Sequence, residues 1–591
     1  MHNIQWAAVH HMPWLEYRHT LPDGKICIRI QTARGDFDRV TLLAADMYST
    51  QGLSYHRAVA LPMDRIWQDE SRDYYQCVFQ RVDKRIHYLF RLTKGDTNYL
   101  KDQDTVYVED SAFDPSILSY FPYPHAYKPE PKPQWARGCA GYQIFPDRFR
   151  RGVNPAEPDE PVESWTSTHY ENEYRFGGNL PGIRDAVPYL NKLGVGVVYM
   201  CPIFVSNTSH RYNTFDYLTI DPLLGTKEDL KGLAADLHAR GMRLVLDGVF
   251  NHSGTQFAPF VDAMKHGKDS PYYDWYFFGE EYPFGYATFG TTPDMPKLNL
   301  KNPACQAYFL EVARYWIREA DIDGWRLDVS PEVWPDFWRV FRKAVMKEKK
   351  DFLMIAECWD DSRQWLTLGD MFDSTMHYVL SRPMWQFFGE GRIDLQEFDH
   401  RVNRIQMMYP QAIQETLWTF LDSHDTARCL CLCGEDVNRL KGAVFFQMTY
   451  PGVPIVYYGD ELGLTGGPDP DCRRPMPWDK AENNPMFDYY QSLIALRAKT
   501  PVLREGSFRT VEAGSDGVYA YLREMEGQTA LMVLNTDRKA VERTLKLPQA
   551  FKNAPSLTCA LSGKTAAVQE ESIALSLNPG EGLVFLLTQT T

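Results

Sequence analysis

The chain has 591 residues, too many for one ordinary domain, and its 44% hydrophobic and 24% charged residues are typical of a globular protein. Its net charge of −14 and the lack of long Lys or Arg runs argue against nucleic acid or an anionic membrane as a partner. No apolar run reaches the roughly 18 residues of a membrane span, and we expect no signal peptide in MHNIQWAAVHHMP. The eleven scattered cysteines favour reduced thiols and a cytoplasmic location.

The first part of the chain, residues 1–125, is predicted to form a β-sandwich module. Its segments alternate apolar and polar residues around short turns, as in GKICIRIQTARGDFDRVTLLAADMY, and this alternation is typical of strands. A proline-dense stretch follows. That composition predicts a stiff linker at residues 126–137.

Residues 138–503 are predicted to form a (β/α)8 barrel, the TIM barrel of the α/β class. Eight short apolar runs alternate there with helical patterns, which is the sequence pattern of this fold. An aromatic, Gly/Pro-rich segment at about 253–303 is too long for a turn, so we expect a loop subdomain after the third barrel strand. Residues 504–591 alternate again and predict a C-terminal β-sandwich. The eight apolar runs are 141–147, 195–202, 242–252, 323–329, 351–359, 371–378, 416–425 and 453–461.

Carboxylates lie at the ends of five of these runs, at Asp247, Asp328, Glu357, Asp425 and Glu461. A single carboxylate at a strand end is more often a helix cap or a turn residue. Five strands of one barrel, however, would bring them to the same mouth, where such barrels hold their catalytic residues. Converging acids without a phosphate loop or metal-ligand spacing indicate acid–base or nucleophilic chemistry on an uncharged, hydroxyl-rich substrate.

Hydrolysis of a glycosidic bond fits this set, because it needs one carboxylate nucleophile and one carboxylic acid. Arg326 lies two residues before Asp328 on the same strand face, and its cation would hold Asp328 ionised. Glu357 ends the apolar run FLMIAE, and apolar surroundings favour the protonated form that a general acid needs. Asp425 follows His424 and would stabilise positive charge that develops on the sugar.

Four short segments resemble, in family order, the signature motifs of the α-amylase family of glycoside hydrolases: LDGVFNH (246–252), GWRLDVS (324–330), AECW (356–359) and FLDSHD (420–425). The resemblance implies that Asp328 is the nucleophile, Glu357 the general acid/base and Asp425 the transition-state stabiliser. It also implies that other motif residues surround the scissile sugar, namely Asp247, Asn251, His252, Arg326 and His424.

Further segments resemble the subgroup of neopullulanases, cyclomaltodextrinases and maltogenic amylases, including MPKLN (295–299) and the N-terminal IRIQTARGDFDRVTLL. By matching position, Tyr212 would stack on the sugar at the cleavage point and Trp359 would contact the leaving-group side. Asp469 with Arg473 would bind beyond the non-reducing sugar. In this subgroup the N-terminal module packs over a partner's active site, so the resemblance implies a homodimer through that module.

The chain departs from the subgroup's pattern in three places. RRGVNPAEP replaces an Asn/Asp-rich loop that binds calcium in other members, while Asn179 and Asn213 each stand where Asp is usual. Because oxygen ligands are fewer, we expect no metal there. The segment SPEVWP, with Pro331 and Pro335 where Asn and His are more common, should line the acceptor side.

The sequence therefore predicts an enzyme without a cofactor that hydrolyses α-1,4 bonds, with α-1,6 bonds left open, in cyclodextrins, pullulan and maltooligosaccharides. Some transglycosylation is expected. A 4-α-glucanotransferase and a starch-acting α-amylase are alternatives within the family. A non-catalytic glucan-binding protein is disfavoured because all three catalytic carboxylates are present, and a metal-dependent hydrolase because its Asp/His pairs are too sparse.

Overall fold

The structure is a computed structural model that describes residues 3–21, 23–46, 58–80, 85–103, 105–109, 119–121, 132–155, 158 and 160–588. The first half of the predicted linker, residues 126–131, lies outside these residues, and its described end contains a 3₁₀ turn at Gln134–Ala136. Among the described helices, none is both long and apolar enough to cross a membrane.

Eight parallel strands form the central sheet, and consecutive strands pair along a ladder except the sixth and seventh, which a single bridge joins. The last strand also pairs with the first, so the sheet curls into a ring. The prediction of a (β/α)8 barrel is confirmed. The strands are β1 (Gly141–Ile144), β2 (Val197–Met200), β3 (Arg243–Gly248), β4 (Gly324–Leu327), β5 (Leu353–Ala356), β6 (Ser374–Thr375), β7 (Trp418–Phe420) and β8 (Val453–Tyr457).

The ring closes differently between β6 and β7 than elsewhere. β6 has only two residues, and one parallel bridge, Met376 to Trp418, joins it to β7. Side chains add to this contact: the Ser374 hydroxyl donates to the Thr416 carbonyl at 2.5 Å, and the Thr416 hydroxyl donates to the Asp373 carbonyl at 2.9 Å. Two hydroxyl groups therefore support the junction where the backbone ladder is shortest.

Helices follow the strands and cover the outside of the ring. Local sequence sets their starts: Asn302 accepts hydrogen bonds from the N–H groups of Ala304 and Cys305, and Thr226 forms a capping box with Asp229. The helices are Pro146–Phe149, Leu180–Asp185, Val187–Leu193, Lys227–His238, Ala258–His266, Pro303–Ala320, Pro335–Glu348, Arg363–Leu366, Tyr378–Met384, Leu395–Met408, Gln411–Gln414, Cys429–Leu432, Val437–Thr449, Pro485–Lys499 and Pro501–Glu505.

The loop subdomain predicted after the third barrel strand is present. Aromatic rings form its core, with the Phe260 centroid 4.9 Å from Tyr276 and 5.0 Å from Tyr286. Its last part returns to the barrel, because Lys297 bridges to His252 directly after β3. A second insertion, the antiparallel pair Phe204–Val205 and Asp216–Ile220, follows β2.

The N-terminal region forms two antiparallel sheets that enclose an apolar core, including the fully buried Ile28, Ile30 and Leu42. The predicted sandwich is therefore present. One sheet contains, in spatial order, Arg18–Thr20, Ile26–Ala33, Arg72–Phe79 and Asp64–Gln68. The other contains Val59–Pro62, Arg39–Asp46, Ile86–Lys94, Thr97–Lys101 and Val106–Val108, with Ser119–Phe121 paired to Ile86–Lys94.

The C-terminal region also forms two antiparallel sheets around its own core, which includes Leu522, Leu531 and Ile573. Its first sheet packs on the barrel, since Tyr519 and Tyr521 belong to the main core. The first sheet contains Ser507–Ala513, Val518–Met525, Gln528–Asn535 and Gly582–Thr588, and the second contains Val541–Lys546, Ser572–Leu577, Thr565–Gln569 and Ser556–Thr558.

Candidate active site

The acidic residues singled out in the sequence meet at the C-terminal ends of the barrel strands. Asp247 lies in β3, Asp328 and Glu357 directly follow β4 and β5, and Asp425 lies beyond β7. Glu461 is the exception, because its buried carboxylate accepts bonds from Tyr142 and Tyr189 away from the cleft. A cleft of about 570 Å³ opens over these ends, lined by Asn172, Thr208, His210, Tyr212, His252, Phe289, Thr292, Asp294, Met295, Asp328, Val329, Glu357, Trp359, Asp425, Asp469 and Arg473.

The fully buried Arg326 guanidinium faces three carboxylates. Its Nη1 is 2.7 Å from Asp328 Oδ1 and 3.0 Å from Asp247 Oδ1. Its Nη2 is 3.2 Å from Glu357 Oε1. Because a buried charge is tolerated only when it is paired, this one cation keeps the three acids assembled beneath the cleft.

The three carboxyl groups compete for this cation. Burial raises the pKa of Asp247 to about 6, although Arg326 opposes the rise. Burial, followed by the nearby Glu357, raises the pKa of Asp328 well above its usual range, again against the pull of Arg326. The influence of Arg326, which the sequence predicts to hold Asp328 ionised, is therefore opposed by burial and by Glu357. Within this cluster, the 2.7 Å ion pair to Arg326 favours the ionised form of Asp328.

Donors on both sides hold the Glu357 carboxyl group. The backbone N–H of Val329 donates to Oε2 at 2.8 Å, and the Trp359 indole N–H donates to Oε1 at 2.9 Å. The Trp359 ring stacks on Tyr378, with centroids 4.0 Å apart and an interplanar angle of 15°. Trp359 is thus fixed on one face while its side chain lines the cleft.

A chain of hydrogen bonds runs from Gln143 to Asp247. The Gln143 amide nitrogen is 2.7 Å from His424 Nδ1, and His424 Nε2 is 2.5 Å from the Tyr212 hydroxyl. Because the amide N–H donates, Nδ1 accepts and Nε2 carries the ring proton. The Tyr212 and Tyr199 hydroxyls in turn donate to Asp247 Oδ2 at 2.9 and 2.5 Å. Burial lowers the pKa of His424 well below its usual range, so the ring is neutral.

A second buried arginine, Arg473, organises the opposite wall. Its Nη1 is 2.8 Å from Asp469 Oδ1, and its Nη2 is 3.6 Å from Asp425 Oδ1. Its Nε donates to the His424 carbonyl at 2.9 Å. Burial raises the pKa of Asp425 and of Asp469, and Arg473 opposes both shifts.

His252 lines the cleft, whereas Asn251 does not. The buried Nε2 of His252 has no hydrogen-bond partner within the described part of the chain, and burial lowers its pKa to about 3. A neutral ring with an unused nitrogen suits a sugar hydroxyl. Asn251 instead accepts a bond from Lys297, whose Nζ also lies 3.3 Å from Glu332 Oε2, and so ties the loop subdomain to the barrel.

Comparison with known proteins identifies the family. Residues 143–506 match the alpha amylase catalytic domain, and residues 4–126 match the alpha amylase N-terminal ig-like domain. The chain is 36% identical to neopullulanase 2 of Thermoactinomyces vulgaris, over 98% of each chain. It is also 36% identical to a cyclomaltodextrinase of Geobacillus thermopakistaniensis, over 97% of each. A solved cyclomaltodextrinase structure superposes with a TM-score of 0.90 at 36% identity, covering 99% of this chain and 100% of that one.

The chain belongs to the α-amylase family. Its two departures from the family pattern at Asn179 and Asn213 each use an amide hydrogen that aspartate lacks. Asn179 Nδ2 donates to the Gly152 carbonyl at 3.0 Å, while its Oδ1 accepts from the Gly152 N–H at 2.9 Å. Asn213 Nδ2 donates to Asp294 Oδ2 at 3.3 Å. The amides therefore join neighbouring loops directly, in the RRGVNPAEP segment and beside the cleft.

Sequence reasoning missed several groups that this α-amylase-family site uses. Gln143 and Tyr199 are polar residues within the apolar runs of β1 and β2, and their positions facing the barrel interior were a usable signal. Val329 gave no such signal, because its contribution is a backbone N–H. Asn172 lies in a loop far from the motifs and reaches the cleft by accepting a 2.9 Å bond from Arg473.

Proposed function

We propose that this α-amylase-family enzyme hydrolyses α-1,4-glucosidic bonds in cyclodextrins, pullulan and maltooligosaccharides, with retention of configuration. The observation that carries the proposal is the placement of Asp328 and Glu357 around one buried cation at the floor of the cleft. Relatives named neopullulanase and cyclomaltodextrinase that match over nearly the full chain support the substrate class.

In the first step, Asp328 attacks the anomeric carbon while Glu357 gives its proton to the glycosidic oxygen. The carbon–oxygen bond breaks and a glycosyl ester forms on Asp328. In the second step, Glu357 takes a proton from water, and the hydroxyl displaces Asp328 from the sugar. Asp425, beside neutral His424, stabilises the positive charge that develops on the ring. Two displacements at one carbon give net retention, and an acceptor sugar in place of water gives transglycosylation.

The remaining residues have assigned roles in holding the substrate. Tyr212 stacks on the sugar at the cleavage point, and His252 Nε2 binds one of its hydroxyls. Trp359 has one face covered by Tyr378, and its 39% exposure offers the other to the leaving-group sugar. Asp469, with Arg473, binds beyond the non-reducing sugar. Asp247, Asn251, Arg326 and His424 lie behind the lining and hold these groups in place.

Product analysis on β-cyclodextrin, pullulan and soluble starch, run side by side, tests the proposal. We expect ring opening of cyclodextrin and cleavage of pullulan to be much faster than cleavage of starch. Panose from pullulan would report α-1,4 cleavage, and maltotriose would report α-1,6 cleavage. Faster attack on starch than on cyclodextrin would favour an ordinary α-amylase instead, and disproportionation without net hydrolysis would favour a 4-α-glucanotransferase.

We also propose a homodimer formed through the N-terminal module. An open groove of about 640 Å³ lies between residues 13–18 of that module and residues 361–368 of the barrel. It is flanked by Trp14 and Leu368, whose exposures of 56% and 66% are high for large apolar residues and indicate an interaction surface. Sedimentation of the wild type and Leu368→Asp tests this proposal. We expect a dimer that the charge dissociates, and a wild-type monomer would contradict it.

An intracellular location is the last element of the proposal. All eleven cysteines are free thiols, which suits a reducing compartment. A relative named intracellular maltogenic amylase, from Bacillus subtilis, is 36% identical over 85% of this chain and 86% of its own. Fractionation of the source cells tests the location, and activity in the culture medium of intact cells would contradict it.

A further inference from the structure

Val329, the residue after Asp328, has a backbone conformation that side chains of its type avoid. Its φ of 45° and ψ of 42° lie in the left-handed region, where a β-branched residue is a genuine outlier. Such strain persists only where the surrounding structure imposes it, and it is concentrated at active sites. The strained conformation at Val329 therefore indicates a functional contact that an unstrained turn would not make.

The turn around Val329 is held by contacts on each side. The Ser330 hydroxyl donates to the Leu327 carbonyl at 2.6 Å, and the Ser330 carbonyl accepts from the Trp338 indole N–H at 3.0 Å. The Val329 carbonyl accepts from the Glu332 N–H at 3.1 Å. These bonds reverse the chain immediately after β4 and leave the Val329 N–H free to donate elsewhere.

The Val329 N–H donates to Glu357. Glu357 is thereby hydrogen-bonded to both residues that flank Asp328 in the sequence, Leu327 and Val329. The Glu357 backbone N–H donates to the carbonyl of Leu327, the residue before Asp328, at 3.0 Å. Its side-chain Oε2 accepts from the N–H of Val329, the residue after Asp328, at 2.8 Å. The acid/base and the nucleophile are thus held in register by one three-residue segment, Leu327 to Val329.

We propose that Val329 is a positioning residue whose backbone N–H fixes the orientation in which the Glu357 carboxyl group exchanges the catalytic proton. The inference rests on the proposed hydrolytic function. The Val329 N–H donates to Oε2 of the Glu357 carboxyl group, while the Trp359 indole N–H donates to Oε1 and Arg326 Nη2 lies 3.2 Å from that oxygen. Oε1 is the oxygen next to Trp359, whose side chain lines the cleft. Without the Val329 N–H, Oε2 loses its backbone donor, and the carboxyl group is no longer held in the orientation in which it gives its proton to the leaving oxygen.

The decisive experiment removes this N–H and nothing else. Incorporation of α-hydroxyisovaleric acid at position 329 replaces the amide by an ester and keeps the isopropyl side chain. The same building block at Val333 is a matched control, because the Val333 N–H donates only within the turn, to the Ser330 carbonyl at 3.3 Å. Val329→Gly keeps the N–H, removes the side chain and tolerates φ of 45°.

Two substrates distinguish a loss of proton donation by Glu357 from a general loss of activity. Maltohexaose needs protonation of its leaving oxygen, whereas the fluoride of α-maltosyl fluoride leaves without it, and kcat/KM reports the first bond-breaking step for both. We expect the ester at position 329 to lower kcat/KM for maltohexaose about tenfold or more, as loss of a hydrogen bond to a charged group does. The value for α-maltosyl fluoride should change by less than about threefold, since no protonation is lost.

The ester at position 333 and Val329→Gly should both keep the wild-type ratio of the two rates. Equal losses on both substrates from the ester at 329, or a changed ratio only in Val329→Gly, would overturn the assignment. A wild type inactive on both substrates would instead refute the proposed function.

Discussion

Two buried arginines organise the cleft, and their surroundings differ. Arg326 lies inside the barrel, where Asp247, Asp328 and Glu357 face it with side chains that are 0%, 7% and 8% exposed. Arg473 pairs with Asp425 and Asp469, whose side chains remain 27% and 40% exposed. Inside the barrel three carboxylates share one cation and accept hydrogen bonds from neighbouring protein groups, so the protein largely sets their energies. At the rim of the cleft, water also solvates the charged groups. Partial exposure suits groups that must bind and release a sugar.

The largest expected effect comes from the interior cluster. Asp328→Asn removes the nucleophile and keeps its shape, so we expect kcat on β-cyclodextrin to fall by about 10⁴-fold or more. Binding of maltotriose should survive, because the rim residues are unchanged. Steady-state kinetics measures kcat, and titration calorimetry measures the binding of maltotriose. A kcat within tenfold of wild type would contradict the assignment of Asp328 as the nucleophile.

Matched substitutions of Arg326 and Arg473 test directly whether the more buried ion-pair cluster contributes more to stability. Arg326→Met leaves interior carboxylates without a cation, so we expect a loss of about 3–5 kcal/mol in the free energy of unfolding. Arg473→Met should cost about 1–2 kcal/mol, because water replaces part of the lost contact. Urea unfolding at neutral pH measures both. Equal losses would mean that burial does not separate the two clusters.

The interior cluster should also make stability depend on pH. Burial raises the pKa of Asp247 from 3.8 to about 6, so the folded form binds this proton more tightly than the unfolded chain. The resulting stabilisation is complete below about pH 4 and is lost as pH rises through about 6, a change of about 3 kcal/mol. Urea unfolding of wild type and Asp247→Asn from pH 4 to 7 measures it. A constant difference between the two proteins would contradict the assignment.

The smallest expected effect is at the rim. Asp469→Asn removes one of the charges that faces Arg473, and we expect KM for maltohexaose to rise about threefold to tenfold with kcat nearly unchanged. Such a result is typical of a contact made equally in the ground and transition states. A fall in kcat with unchanged KM would place Asp469 among the reacting groups rather than the binding ones.

The architecture and the interior pair could be predicted from sequence because local patterns encode them. Period-two alternation placed Arg326 and Asp328 on one strand face, and they form a 2.7 Å ion pair. Eight apolar runs gave the barrel, although the run at 371–378 contains only a two-residue strand. Length and composition identified the loop subdomain.

Contacts between strands could not be predicted, because the sequence of one strand alone does not determine its alignment with the neighbouring strand. Arg326 pairs in register with Asp247 on β3 and with Ile355 on β5, and this alignment brings its guanidinium to Glu357. The bond from Tyr212 to His424 joins a loop after β2 to one after β7. The left-handed turn at Val329 contradicts the preference of valine itself, so no local rule could have found it.

The junction between β6 and β7 has a consequence for how the sequence can vary. Around most of the ring, neighbouring strands are joined by backbone groups that nearly every residue type supplies. Between these two strands, the hydroxyl groups of Ser374 and Thr416 carry bonds that few other side chains could make. Part of the contact between β6 and β7 therefore depends on amino-acid identity, in addition to the backbone bond from the His377 N–H to the Trp418 carbonyl. A substitution of Ser374 or Thr416 removes a side-chain bond at this junction while every catalytic residue stays intact.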